Sequence, residues 1–324
     1  MKKHQNFPRL LKHSFAYSVS SLSDYTEQNV VPLVTKSLFG SRTAELFPVQ
    51  TGIKSAEVIN IIDDQVYFQS GSACGFTASG DTTFTHRTIT VGKIKVNKKW
   101  CPDELEAKWT QFLLNAGSYY ESAVPEEVLA DFMTAIIAQE MEKAYWKGDT
   151  ANGNPNLNKF DGFIKLIDAA GTAIDGNTGG QTAITVSNAV TIHDAILTSL
   201  PAELLDKEDV VILEGWDTYR KLVLGLKNEN NYHYDATSPQ HQTLGELLLP
   251  GTNIRVVAVH GLNDTQRIFA GRTSNFFIGT DLLNDYENFS IWYSQDNDDV
   301  RMKARWKAGV QVAFPNEIVE YTNA

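Results

Sequence analysis

The chain has 324 residues, 42% hydrophobic and 21% charged, a balance that matches ordinary globular proteins and excludes wholesale disorder. Its 28 Lys and Arg against 39 Asp and Glu leave a formal charge of −11. That disfavours a dedicated DNA-binding module, whose affinity comes mainly from basic side chains on phosphates.

Residues 1–23 read as a mobile basic arm, with Lys2, Lys3, Arg9 and Lys12 and no acid before Asp24. Lys12, His13 and Ser14 break its apolar stretch, so a secretory signal fails; the composition also suits a transit peptide, and the arm is preferred. A short helical pattern at 32–38 stops at Gly40. Residues 55–70 and 82–99 read as two long strands joined by a Gly/Ser stretch at 70–80. The second strand changes apolar parity at Gly92, between Ile89 and Val91 on one side and Ile94 and Val96 on the other, where a bulge or bend would re-aim it. A hairpin with so few apolar residues is expected to project and to need a neighbour, because two strands alone are marginal.

A helix is expected at about 102–115, opened by Pro102 and striped by Leu105, Trp109, Phe112 and Leu113. The strongest helix signal runs over 125–147. Pro125 opens it, Glu126 and Glu127 fill its first turn, Lys143 and Lys147 close it, and Gly148 follows. Leu129, Phe132, Met133, Ile136, Ile137, Met141, Ala144 and Tyr145 share its apolar face. At 1.5 Å per residue it would be roughly 35 Å long, a spine across the body. A Gly/Asn/Pro loop at 148–159 and a short apolar segment at 160–167 come next. Gly171, Gly176, Gly179 and Gly180 mark a crossing into a region of alternating helix and strand at about 185–262. There, Ser187 would cap a helix bearing Ile192, Ile196 and Leu200. Residues 210–213 form a short buried strand, and Trp216, Tyr219, Leu222, Val223 and Leu226 stripe another helix. A polar loop follows at 228–242, and then a strand at 254–259. The chain returns to strands at 267–322.

The search for chemistry finds little. No apolar run reaches the ~18 residues of a membrane span. GxSxG, Walker A, HExxH and GxGxxG motifs are missing, so no catalytic, cofactor-binding or metal residue is expected. The seven histidines are scattered. Cys74 and Cys101 have no metal-ligand spacing and read as thiols in a reducing compartment. Asp296, Asp298 and Asp299 lack the glycine and distal glutamate of a calcium loop and read as a hairpin turn. Asp161-Gly162-Phe163 carries nothing by itself. The alternating strand Arg301, Lys303, Arg305, Lys307 has two readings. Its cations could meet phosphates or an acidic neighbouring subunit. They could instead pair with Asp281, Asp285, Glu287, Asp296, Asp298 and Asp299, all within a stretch that holds no Lys or Arg. The structural or inter-subunit reading is preferred. The arm's cations are either a solvated tail or a dock for an acidic neighbour.

The order of parts resembles the HK97-type major capsid protein of tailed bacteriophages, including versions in phages of gut or marine Bacteroidetes. The resemblance rests on Phe84-Thr85-His86-Arg87-Thr88-Ile89-Thr90-Val91, on Lys95-Val96-Asn97 leading into Cys101-Pro102-Asp103-Glu104-Leu105-Glu106, and on the helix 124–147 with Gly148-Asp149-Thr150. Phe160-Asp161-Gly162-Phe163, Val210-Val211-Ile212-Leu213 and Leu244-Gly245 complete it. It covers nearly the whole chain and is architectural, with no single diagnostic motif. It implies an α+β, HK97-like capsid fold: an N-terminal arm and lead-in at 1–49, an extended hairpin loop at 50–98, a peripheral domain at 99–180 with the spine helix, an axial α/β domain inserted at 181–264, and peripheral closing strands at 265–324. It further implies pentamers and hexamers of an icosahedral shell around double-stranded DNA bound without sequence specificity, assembled in the host cytoplasm and resident in the virion, with no membrane. A portal and decoration proteins are implied partners. The chain has no room for a long cleavable scaffolding segment, so scaffolding is expected to be separate or missing. An acidic body suits a container whose lumen lets DNA move. Two alternatives remain: an encapsulin-like nanocompartment with the same fold, and a cytosolic α/β enzyme without a recognisable motif. A jelly roll is disfavoured by the long helix.

Overall fold

The computed structural model describes residues 41–64, 67–68, 80, 82–101, 125–229, 245–249, 251–281 and 289–323. The expected arm, the helices at 32–38 and 102–115, most of the 70–80 turn and most of the 228–242 loop lie outside these residues.

Alternation along the last long strand organises one half of the molecule. In β12 (Asp299–Val312), Val300, Met302, Ala304, Trp306 and Ala308 are buried, while Arg301, Lys303, Arg305 and Lys307 between them are not. This is the period-2 pattern of a sheet with one covered face. Ala308 pairs with both Gly92 of β4 (Gly92–Trp100) and Thr280 of β10 (Phe276–Thr280). One edge of β12 therefore carries β4, and the other carries β11 (Phe289–Ser294) followed by β10; all three are antiparallel to β12. A short parallel strand, β1 (Val49–Gln50), extends the β10 side.

The buried face of this sheet shares a core with α2, the spine (Pro125–Lys147). Its limits match the sequence reading, but its buried face is turned. Ala130, Met133, Ile137, Met141 and Ala144 point inward, and Phe132 is 61% exposed and Ile136 38%. The apolar stripe read from the sequence is wider than the contact the helix makes. Near its end Trp146 meets Phe269, at a ring separation of 5.6 Å, and Phe163, at 5.3 Å. Phe47, just after α1 (Arg42–Leu46), stacks on Phe276 at 4.7 Å. The buried Glu142 carboxylate accepts from the Thr43 backbone N–H (3.1 Å) and hydroxyl (2.6 Å), and the Trp146 indole N–H donates to Thr43 Oγ1 (2.8 Å). This network satisfies a carboxylate that burial would otherwise penalise and fastens α1 to the spine.

The segment at 160–167 begins α3 (Phe163–Ala170). Gly162 sits so close to the spine that an added Cβ would lie 2.6 Å from the Trp146 carbonyl oxygen. Asp161 accepts from the Thr150 N–H and from Lys165, which also pairs with Asp149. Asp161-Gly162-Phe163, silent as a motif, is a structural clip.

A second sheet has the order β5 (Ile174–Asp175), β13 (Val319–Tyr321), β9 (Ile268–Arg272), β6 (Val210–Glu214), β8 (Arg255–Ala258), β7 (Glu246–Leu248). β6 and β8 are parallel. Every residue of β6 is buried because both faces are covered. Val211 and Leu213 join the core of the spine, while Val210 and Ile212 join a second core under α4 (Ala189–Ser199) and α5 (Trp216–Asn228). The cap of α4 is Asn188 rather than Ser187, and it makes no side-chain capping bond. The sheet takes strands from both sides of the expected boundaries at 180/181 and 264/265. It does so because β9 completes the hydrogen bonding that β6 cannot satisfy within the inserted region, and β13 in turn pairs with the far edge of β9.

The hairpin forms over β2 (Ala56–Asp64) and β3 (Thr82–Thr90), with Ala56 opposite Thr90 and Asp64 opposite Thr82, and its first strand ends at Asp64, short of the expected 70. The strand read as 82–99 is two elements. It breaks at Val91, after which β4 leaves the hairpin for the five-stranded sheet. Gly92 allows the transfer, since a Cβ there would lie 1.9 Å from the Lys159 carbonyl oxygen.

Candidate functional site: a projecting hairpin and a basic sheet face

At its root the hairpin is anchored by a small cluster of Ile53, Ile89 and Val91, with Ile59 and Phe277 against it. In β3, Ile89 is the one buried residue. On the opposite face, Val58 (47% exposed) beside the root and Phe84 (74%) further out stand open, and Tyr67 and Phe68 are exposed near the turn. Phe84 and Phe68 are of a residue type that belongs in a core, and the described residues of their own chain leave them largely uncovered.

The second feature is electrostatic. Register places Lys93 opposite Lys307, Lys95 opposite Arg305, Asn97 opposite Lys303 and Lys99 opposite Arg301. Directly paired residues share a face, so β4 and β12 display seven cations together. The sequence reading that acids would pair with the basic strand is met for two of its four cations. Arg301 Nε lies 2.7 Å from Asp299 Oδ1. Lys307 pairs with Asp281 and also donates to the Lys54 carbonyl at 2.9 Å. Asp298 instead accepts from the Tyr293 hydroxyl, which holds that phenol above its ordinary range. Asp296 is exposed in the β11–β12 turn, and Asp285 and Glu287 lie outside the described residues. Among the described residues, Lys93, Lys95, Lys99, Lys303 and Arg305 have no ion-pair partner. The sequence reading missed the three lysines because β4 and β12 are some 200 residues apart. The available signal was their common spacing of two.

Trp292, opposite Arg301 on β11, shares this face. A shallow cleft of about 640 Å³ opens at that end, lined by Asn97, Lys98, Lys99, Trp292, Asn297 and Arg301 among others.

One pairing resembles catalytic machinery. His193 Nε2 lies 3.4 Å from Glu214 Oε2, and His193 Nδ1 is 2.8 Å from the Ala189 carbonyl oxygen. Burial lowers the His193 pKa, but the Glu214 charge and hydrogen bond outweigh it and hold the imidazole above its ordinary value. The side chains are 1% and 0% exposed, so neither is open to solvent. They pin α4 to β6. Among the described residues, no group of three or more His, Cys, Asp or Glu could hold a metal ion, and no helix is long and apolar enough to cross a membrane.

The architecture is that of the HK97-like capsid fold: a projecting hairpin, a spine helix on a sheet with long closing strands, and a second sheet flanked by helices. Among solved structures, the chain is similar to the capsid of an empty GTA particle, with a TM-score of 0.55, 15% identity, and 88% of this chain and 90% of that chain covered. It is similar to the procapsid of satellite phage P4 with its size-determination protein (TM-score 0.58, 12% identity, 91% and 90%) and to Gordonia phage Cozz (0.58, 11%, 88% and 86%). The sequence matches no family profile and no curated protein sequence.

Proposed function

We propose that the chain is a major capsid protein that self-assembles, as pentamers and hexamers, into the icosahedral shell of a tailed phage around double-stranded DNA. The observation that carries this is the hairpin, open on the face bearing Val58 and Phe84, on a fold shared with solved phage capsids. Such a hairpin gains its missing burial on an adjacent copy, so assembly adds stability that folding leaves undone. Repeated head-to-tail contacts of this kind close rings.

In this reading residues 50–91 are the extended loop. The spine and the five-stranded sheet, β4 included, are the peripheral domain. α4, α5 and β6 to β8 are the axial domain. The P4 procapsid includes a size-determination protein, and by that likeness a separate protein guides assembly here in the host cytoplasm, beside a portal and decoration proteins. The narrower likeness to shells of Bacteroidetes phages rests on the sequence alone. Negative-stain microscopy of the purified protein tests the proposal: closed particles or ring-shaped capsomers are expected, and a dispersed small globule overturns it.

A second reading has support in the similarity to a virus-like particle from Pyrococcus furiosus (TM-score 0.50, 11% identity, 94% and 99% covered). An encapsulin-like compartment would hold protein cargo where a capsid holds DNA, so the contents of isolated particles decide between them.

A further inference from the structure

Of the seven cations on the face of β4 and β12, Arg301 and Lys307 are held by Asp299 and Asp281, and the other five have no ion-pair partner among the described residues. Three pairs of like charges stand directly opposite one another, an arrangement that costs stability on a sheet. Lysines on a free edge strand guard against stray strand pairing, which would explain those of β4. It leaves β12 unexplained, because β12 is paired on both edges. Nor does solubility call for them in a chain of net charge −11.

We propose that this face binds the phosphate backbone of nucleic acid. Alternate residues on a strand lie about 6.7 Å apart and neighbouring strands about 4.8 Å apart. The cations therefore form a flat double row about 20 Å long. A DNA duplex laid along it presents on the order of a dozen phosphate charges over that length. The face offers charge rather than an array of base-reading groups, so it takes duplex without regard to sequence.

A second copy of the chain is the competing occupant, and it fits less well. Several carboxylates elsewhere are already held by their own cations: Asp149 and Asp161 by Lys165, Asp168 and Glu320 by Arg267, Asp209 by Arg272, and Glu246 by Arg42 and Arg255; those outside these pairs, such as Glu57, Glu203 and Glu208, are scattered over different elements. No described strand carries a carboxylate row to match the cations. The overall negative charge conceals a segregated positive surface, in place of the uniformly non-gripping body that net charge suggested. The inference rests on the shell reading only for the source of the nucleic acid, the enclosed genome. There, many copies of a weak contact act together.

The test uses the full-length chain kept unassembled, with a random-sequence DNA duplex of about 30 base pairs, followed by fluorescence anisotropy between about 50 and 200 mM salt. Wild type is expected to bind, and to weaken steeply with salt. Lys303→Glu with Arg305→Glu is expected to weaken binding at least roughly tenfold and to make the log–log salt slope shallower by about 2, at about 0.9 for each phosphate no longer neutralised. Lys303→Gln with Lys95→Gln, a milder pair, should move both in the same direction while the melting temperature holds. Lys207→Glu, away from the sheet, should bind as wild type does. Absence of wild-type binding at the lowest salt, or equal binding by the variants, overturns the proposal. So does a charge-reversed variant that binds DNA normally but no longer forms particles, which would give the face to a second copy. DNA binding that falls as expected in a protein that never forms particles leaves this proposal standing and removes the shell reading instead.

Discussion

Glu320 shows how one side chain carries a pH dependence. It faces Asp175 across the β13–β5 pairing and shares Arg267 with Asp168, at 2.9 Å and 2.7 Å from the guanidinium. Burial pushes its carboxyl up to about 7, against the pull of Arg267 and with help from Asp168 and Asp175. The folded protein thus keeps a proton that the unfolded chain releases near 4.5. The stability contributed by the protonated form is complete below that value and is lost as pH rises through about 7. Glu320→Gln should therefore raise the melting temperature at about pH 8, change it little at about pH 4, and flatten the decline between. Melting curves across that range at fixed ionic strength check this; a variant that declines in parallel with wild type refutes it.

At the scale of elements, the spine separates what periodicity can say from what it cannot. Met141 is 4% exposed within the shared core, whereas Phe132 is 61% exposed although both belong to the stripe read from the sequence. Met141→Ala should lower the unfolding free energy of the unassembled chain by about 2–4 kcal/mol. Phe132→Ser should change it by less than about 0.5 kcal/mol. Urea unfolding midpoints decide, and a Phe132→Ser loss as large as that of Met141→Ala would restore the wider stripe. The limits of this helix were legible because Pro125 and Gly148 bracket it with local chemistry. Its rotation was not, because that depends on which strands reach it. The same division runs through the hairpin. The parity change at Gly92 was visible, but not that the glycine marks a close approach to Lys159 and a transfer between sheets. On β12 the alternation was legible and its company was not. Cation faces cation across β4 because pairing is set by distant partners, and a local search for acids finds only the hairpin turn. Glu142, Thr43 and Trp146, and the pair His193 and Glu214, were silent for the same reason: each joins residues that spacing does not associate.

For the whole molecule, the division of labour between its cores sets what assembly into the proposed shell would have to supply. The two large cores share the second sheet through the alternate faces of β6, so the described body holds most of the buried apolar residues. The hairpin holds few, as its own cluster has three buried residues at the root. Phe84, 74% exposed, contributes little to the isolated fold, and Val58, 47% exposed, contributes only part of its burial. Each contributes on the order of 1–2 kcal/mol once covered, since burying a large apolar side chain from water is worth about that much. Repeated at every contact of a closed ring, this term alone favours association, and it scales with the number of copies. Val58→Ser with Phe84→Ser should therefore leave the urea midpoint of the unassembled chain little changed and raise the protein concentration at which rings or particles form by at least roughly tenfold, a shift that corresponds to about 1.4 kcal/mol per contact. Light scattering against concentration measures it. A variant that assembles at the wild-type threshold would show that the hairpin meets its neighbour by its backbone edges or by its other face, and that the exposed apolar residues are not what a sister copy covers.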